Sequence, residues 1–311
     1  MTEQQIPVDR IPDELFQKLD DSEKNNEFLA MESKTYVQDA WNHFKKNKLA
    51  LISLLFLAVM VVLAIIVPMV SPYTYDGQDL SLRNAMPGLD HLLGTDKFGR
   101  DILVRLMYGA RISLSVGFAA AVINLCIGVV YGGICGYFGG KLDMVLMRIA
   151  DIIYSIPSML YVIMVMLIFG SNIFSVLLAI SVSGWIGMAR QVRTQVMSLK
   201  EREYAQAARV MGASHKRILF QHLIVNSMGP IIVNTTLMVP EAIFTEAFLA
   251  FVGVGISIPQ SSWGTMANEA RSLIQTYPIQ MLWPVLAISL TMLSLNFIGD
   301  GLNEALDPRK H

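Results

Sequence analysis

Two carboxylates, Glu241 and Glu246, lie inside the otherwise uncharged run MVPEAIFTEAFLAFV. An ionisable group in such a run is expensive to bury, and its presence is by default a functional hypothesis. Being five residues apart on a helix, the two point about 140° from each other, so they do not make a paired acid and base. Glu241 shares a face with Thr245 and follows Pro240, which removes a backbone donor and loosens the helix there. One reading is a water-filled passage lined by Glu241 and Thr245, with Pro240 and Glu246 at its gate, Glu246 tying the outer segment or meeting an amine on a solute. A structural hydrogen bond to a neighbouring helix fits either glutamate equally well.

Other reactive residue types lead nowhere catalytic. His215 and His222 are seven apart, without a Cys or Asp cluster to complete a metal set. Gly139-Gly140-Lys141 has Cys135 where a phosphate loop needs glycine and Leu142 where it needs a hydroxyl, so no nucleotide is held there. Cys126 and Cys135 fall on different faces of one apolar helix and read as packing residues. No nucleophile, base or metal constellation remains. The chain is expected to be no enzyme, with no cofactor or metal of its own.

The richest polar stretch is EREYAQAARVMGASHKRILFQHLIVN, residues 201–226. It predicts a helix from Glu203 to Met211, a stop at Gly212, and a second helix capped by Ser214. Ala205, Ala207, Ala208, Gly212 and Ala213 leave a surface of small side chains that another protein can approach closely. Around it Glu203, Arg209, Lys216 and Arg217 supply charge. A solvated helical hairpin is the alternative.

These segments need a scaffold, and the composition names it. Of 311 residues, 53% are hydrophobic and 16% charged, against about 25% charged in a soluble domain. With a mean hydropathy of +0.48 and runs such as LALISLLFLAVMVVLAIIVPMV, the chain belongs in a bilayer, which needs about 20 apolar residues per helical span. The predicted fold is all-α, with six transmembrane helices near 49–70, 112–138, 150–170, 174–189, 229–251 and 280–299. With both termini inside, 18 Lys and Arg fall on the inner side and six on the outer, so the positive-inside rule places the termini in the cytoplasm. The net charge of −1 gives no reason to expect nucleic acid.

That topology leaves residues 1–48 as a cytoplasmic tail and 49–311 as the membrane domain, whose inner loop spans 190–227. In the tail, Val37, Ala40, Trp41 and Phe44 followed by Lys45 and Lys46 read as an amphipathic elbow helix on membrane lipid. The outer segments are 71–111 and 252–279, the second expected to fold back on the bundle. Gly128, Gly132, Gly136 and Gly140 repeat at four-residue spacing, a stripe for close helix packing within the chain or against a partner.

A family resemblance now becomes specific. Gln206-Ala207-Ala208 with Gly212 four residues on resembles the EAA loop of ABC importer permeases, and Glu203-Tyr204 before it resembles the peptide-importer form. LGTDKFGRD, GYFGGKLDMVLMRIAD, EAFLAFVGVGI, SSWGTM and GDGLNEALDPR follow the order seen in the C-type subunit of the oligopeptide, dipeptide and nickel permease family. The resemblance implies the type I ABC importer fold and a bacterial cell membrane location. It implies four kinds of partner: a second, B-type permease, two cytoplasmic ATP-binding subunits that carry ATP and Mg²⁺, an extracytoplasmic peptide-binding protein, and lipid. It implies ATPase coupling through Glu203, Tyr204, Gln206, Ala207, Ala208, Arg209, Gly212, Ala213, Lys216 and Arg217. Contact with the binding protein would fall to Asp96, Gly99, Arg100, Asp101, Trp263 and Asn268. The alternatives are a nickel or other small-solute importer and, from a different class, an ion-gradient-driven transporter or channel.

Overall fold

The computed structural model describes residues 35–256 and 260–306; the tail before Thr35, with its acidic start, and the basic pair Arg309 and Lys310 lie outside the described residues. The chain divides into two compact units, Met1–Asp39 and Ala40–His311. In the first, Thr35 and Gln38 cap the start of helix α1 (Tyr36–Phe44), the Thr35 amide donating to Gln38 Oε1 at 3.1 Å. All remaining elements belong to the second unit, and the described residues form helices with no strand.

Asn47 starts helix α2 (Lys48–Val70) by accepting from the Ala50 amide at 3.1 Å. The helix is about 35 Å long, enough to cross a bilayer, and most of its apolar side chains face outward. Pro68 deprives the Ala64 carbonyl of its intrahelical donor; Arg111 supplies one, its Nε reaching Ala64 O at 2.5 Å and its Nη2 reaching Ile65 O at 2.7 Å.

Helix α3 (Ile102–Phe138) is the central strut and begins ten residues before the predicted span. It runs through Arg105 because that cation is neutralised by neighbouring carboxylates. Its glycine stripe packs within the chain. A Cβ on Gly132 would lie 2.2 Å from the Ala189 carbonyl oxygen, and one on Gly136 would lie 2.6 Å from that of Arg193. Gly140 is not part of that seam: at φ +57°, with open space around it, it starts the next helix.

Two predicted spans change form. The third is a bent pair, α4 (Gly140–Ser155) and α5 (Ser158–Phe169), meeting at 81°. Pro157 forces the break, since it disfavours helical backbone at Ile156. Alone, the 12 residues of α5 rise only about 18 Å. The fourth joins α6 (Ile173–Ser181) to α7 (Trp185–Leu199), a stretch of 27 residues, so helix replaces the first ten residues of the predicted inner loop. After helix α8 (Glu203–Val210), a short helix and a π-helical turn lead to α9 (Met228–Val252). Helix α10 (Trp263–Arg271) folds back between α3 and α9, and α11 (Ile279–Leu306) closes the bundle. Among the described residues, five helices are long and apolar enough to span a membrane, six if the bent pair counts as one span.

Near the start of the second unit, Phe44 packs with Ala50, Ile298 and Ala305. Trp41 is exposed, with Lys45 Nζ 5.0 Å from its ring centroid, an amphipathic arrangement suited to a headgroup layer.

Candidate functional site

The polar stretch after α7 is a compact helical element. Helix α8 buries Ala205 and Ala208 in the same cluster as Ile218 and Leu219. It ends in a Schellman motif: the Gly212 amide donates to Arg209 O at 3.0 Å and the Ala213 amide to Ala208 O at 3.0 Å. This requires the left-handed φ of +80° that Gly212 adopts. Ser214 then caps the next turn, accepting from the Arg217 amide at 3.3 Å. Glu203, Tyr204, Gln206, Ala207, Arg209, Lys216 and Arg217 are exposed around this bend, and Ala213 is half-buried.

Sequence reasoning missed the apolar tip of this element. Val210 is 88% exposed and Met211 81%. The available signal was their position just before the helix-stopping glycine, off the face that carries Ala205 and Ala208. The anchors were missed as well. His215 Nδ1 pairs with Tyr137 Oη at 2.7 Å, and Lys200 Nζ donates to the Gly136 carbonyl at 3.0 Å, satisfying an acceptor at the end of α3. Arg193 grips the Asp143 carboxylate through two bonds of 2.5 and 2.6 Å, and Arg190 reaches Asp151 at 2.8 Å, fastening α4 to α7. This helical element is thereby linked to the main strut.

Deeper in the bundle, α3, α5, α6 and α9 surround a cavity of about 310 Å³. Glu241 and Thr245 line it; the Thr245 hydroxyl is engaged, donating to the Glu241 backbone carbonyl at 2.8 Å. Pro240 is buried, and α9 continues through it. Glu246 does not belong with them. It is 1% exposed and accepts from Ser113 Oγ at 2.9 Å, while that same oxygen accepts from the Trp263 amide at 3.3 Å. Glu246 therefore joins α9, α3 and α10 in the packed interior, and the expectation of a gate residue gives way to a structural tie.

At the predicted outer end, charges expected on a contact surface are buried together. Asp96 accepts from Arg100 Nε at 2.7 Å and from Arg105. Glu269 accepts from the same two guanidiniums at 2.5 and 2.8 Å. Asp101 caps α3 through the Val104 amide at 2.8 Å and meets His91 Nδ1 at 2.8 Å. Gly99 has φ +74°, and a Cβ there would lie 1.7 Å from the Asp79 carbonyl oxygen. Asp79 caps a short turn, and the Ser81 hydroxyl and amide hold its carboxyl below the usual carboxylate range. Trp263 is 0% exposed, its Nε1 donating to Leu106 O at 3.0 Å, and Asn268 Nδ2 donates to Phe251 O at 2.5 Å. Asp96, Gly99, Arg100, Asp101 and Trp263 thus hold the outer segments together from within. Asp96 meets its two guanidiniums four and nine residues on, and Glu269 reaches the same pair from a segment more than 160 residues away.

Comparisons with known proteins agree with this architecture. Residues 128–311 match the family described as the binding-protein-dependent transport system inner membrane component, and residues 35–87 match the N-terminal transmembrane domain of oligopeptide transport permease C. The dipeptide transport system permease protein DppC of Bacillus subtilis is 44% identical over 96% of this chain and 94% of its own length. The oligopeptide transport system permease protein OppC is 43% identical in Bacillus subtilis, over 97% of this chain and 99% of the relative. In Escherichia coli it is 40% identical, over 92% and 96%. A solved structure of the MetNI methionine ABC transporter shares the fold, with a TM-score of 0.54 at 21% identity over 66% of this chain and 96% of that one. The chain belongs to the family of binding-protein-dependent transport system inner membrane components. It is a multi-pass inner membrane permease subunit of the ABC importer class and not an enzyme.

Proposed function

We propose that this chain imports oligopeptides or dipeptides as half of a translocation pathway, with its termini in the cytoplasm. The observation that carries the substrate class is 40 to 44% identity, over nearly the whole length, to permeases named for those substrates. The partners are a homologous second permease, two cytoplasmic ATPases that bind ATP and Mg²⁺, and an extracytoplasmic peptide-binding protein. The elbow helix rests on lipid through Trp41 and Lys45.

In this reading the ATPase groove receives the tip of α8, where Val210 and Met211 supply apolar contact inside the charged ring of Glu203, Arg209, Lys216 and Arg217. Closure of the ATPases moves that element, and the bonds of His215 to Tyr137 and of Lys200 to Gly136 carry the motion into α3. Because α3 lines the cavity and also anchors the buried outer knot, a shift of the strut opens or shuts access between them. The face carrying Glu241 and Thr245 borders the route, beside Pro240.

Purification of the tagged chain from its own membranes in mild detergent tests the proposal. Two ATPases and a second permease should accompany it, and the matching binding protein should carry a peptide. Recovery of the chain alone, or only with copies of itself, would overturn the importer reading, and a nickel ligand would overturn the peptide assignment.

A further inference from the structure

The cavity beside α9 has a one-sided electrostatic character. Glu241 is the one carboxylate among the described residues that line it, with no Lys, Arg or His to neutralise it. The Glu241 side chain is exposed within this chain and has no ion-pair partner among the described residues. In the membrane that exposure must be to an aqueous route or a polar partner, because lipid contact is prohibitive for a carboxylate in mid-helix. Asn124, on the opposite wall, is 3% exposed, and its Oδ1 accepts no hydrogen bond. A buried acceptor left without a donor is costly. Its amide nitrogen is held against Gly184, where a Cβ would lie 2.4 Å from Nδ2. Two further lining residues, Phe244 and Phe248, are stacked with ring centroids 6.3 Å apart and are substantially exposed.

A carboxylate, an orphan carbonyl oxygen and exposed aromatic faces share one preference. Each attracts a cation that carries N–H donors, and none attracts an anion. We infer that this cavity is a subsite for an alkylammonium group of the passing solute, with Glu241 as its counter-ion and the Asn124 carbonyl as a hydrogen-bond acceptor. The inference rests on the peptide-import reading and deepens it. A peptide presents that chemistry in two places, its terminal amine and the side chain of lysine.

The test uses the complete transporter, with all partner subunits and saturating binding protein, in proteoliposomes supplied with ATP. Maximal uptake rates are compared for Ala-Ala-Ala, Ala-Lys-Ala and Ala-Glu-Ala. The native complex should favour Ala-Lys-Ala over Ala-Glu-Ala. Glu241→Gln should shrink that ratio about tenfold, the loss of one charge-assisted hydrogen bond. If the terminal amine is the group engaged, Glu241→Gln should instead slow all three peptides together, while Glu241→Asp restores them. Glu241→Lys should reverse the preference toward Ala-Glu-Ala, a result that misfolding cannot produce. Unchanged rates and ratios in both Glu241→Gln and Glu241→Lys would overturn the subsite while leaving peptide import intact. Absence of uptake of any peptide by the native complex would overturn the import reading itself.

Discussion

Adjacent glycines of α3 have opposite surroundings. A Cβ on Gly132 meets the Ala189 backbone at 2.2 Å, whereas one on Gly133 meets only side chains, Leu219 at 3.4 Å and Ile224 at 3.5 Å. Backbone cannot yield as a flexible side chain can, so Gly132→Ala should destabilise the bundle by about 1 to 3 kcal/mol. Gly133→Ala should be neutral or gain up to about 1 kcal/mol from helix propensity. Thermal unfolding in detergent measures both, and equal shifts would contradict the packing described for α3 and α7. Residue chemistry was partly legible in the sequence at this scale. The 140° divergence of Glu241 and Glu246 follows from helical geometry, and the two do occupy different environments. Whether Glu246 ties the outer segment or meets a solute was not legible, because that depends on where Ser113 and Trp263 are brought by other helices.

Helical elements were legible where one signal dominated and illegible where signals had to be weighed. The stop at Gly212 and the cap at Ser214 are local, and both are present. The start of α3 was misplaced because Arg105 and Arg111 look like the edge of a span until Asp96 and Glu269 are seen to neutralise the first and the Ala64 and Ile65 carbonyls to hold the second. The bend at Pro157 was passed over because apolarity on both sides suggested one continuous span. Two predictions belong here. At Gly212, a side chain in left-handed backbone costs about 1 to 2 kcal/mol, or about tenfold in the population of the bend, except for Asn. Gly212→Arg should insert normally yet lose uptake relative to ATP hydrolysis by about that factor, while Gly212→Asn keeps most of it. Normal uptake by the arginine variant would exclude a coupling role for the bend. In the outer knot, Glu269→Ala leaves two buried guanidiniums on one carboxylate. The expected loss is about 3 to 5 kcal/mol, seen as earlier proteolytic cleavage within 71–101; unchanged protection would show that the knot does not secure that segment.

At the scale of the whole molecule, the chain is a strut with equipment at each end. Helix α3 is held at one end by the buried charges around Asp96 and at the other by Lys200 and the Tyr137–His215 pair. Between them lies a cavity with an uncompensated carboxylate. Bilayer class and the approximate number of spans were legible in composition alone, since long uncharged runs have few other uses. The buried outer knot was not, because its second carboxylate, Glu269, joins Arg100 and Arg105 from more than 160 positions away. In the function proposed above, work on a solute is supplied by partner ATPases. The most direct measurement is therefore peptide uptake into proteoliposomes by the purified chain alone and by the chain with its second permease, ATPases and binding protein. Uptake should require every partner and ATP hydrolysis, and should be indifferent to collapse of ion gradients. Uptake by the isolated chain that follows an imposed proton or sodium gradient would contradict the account.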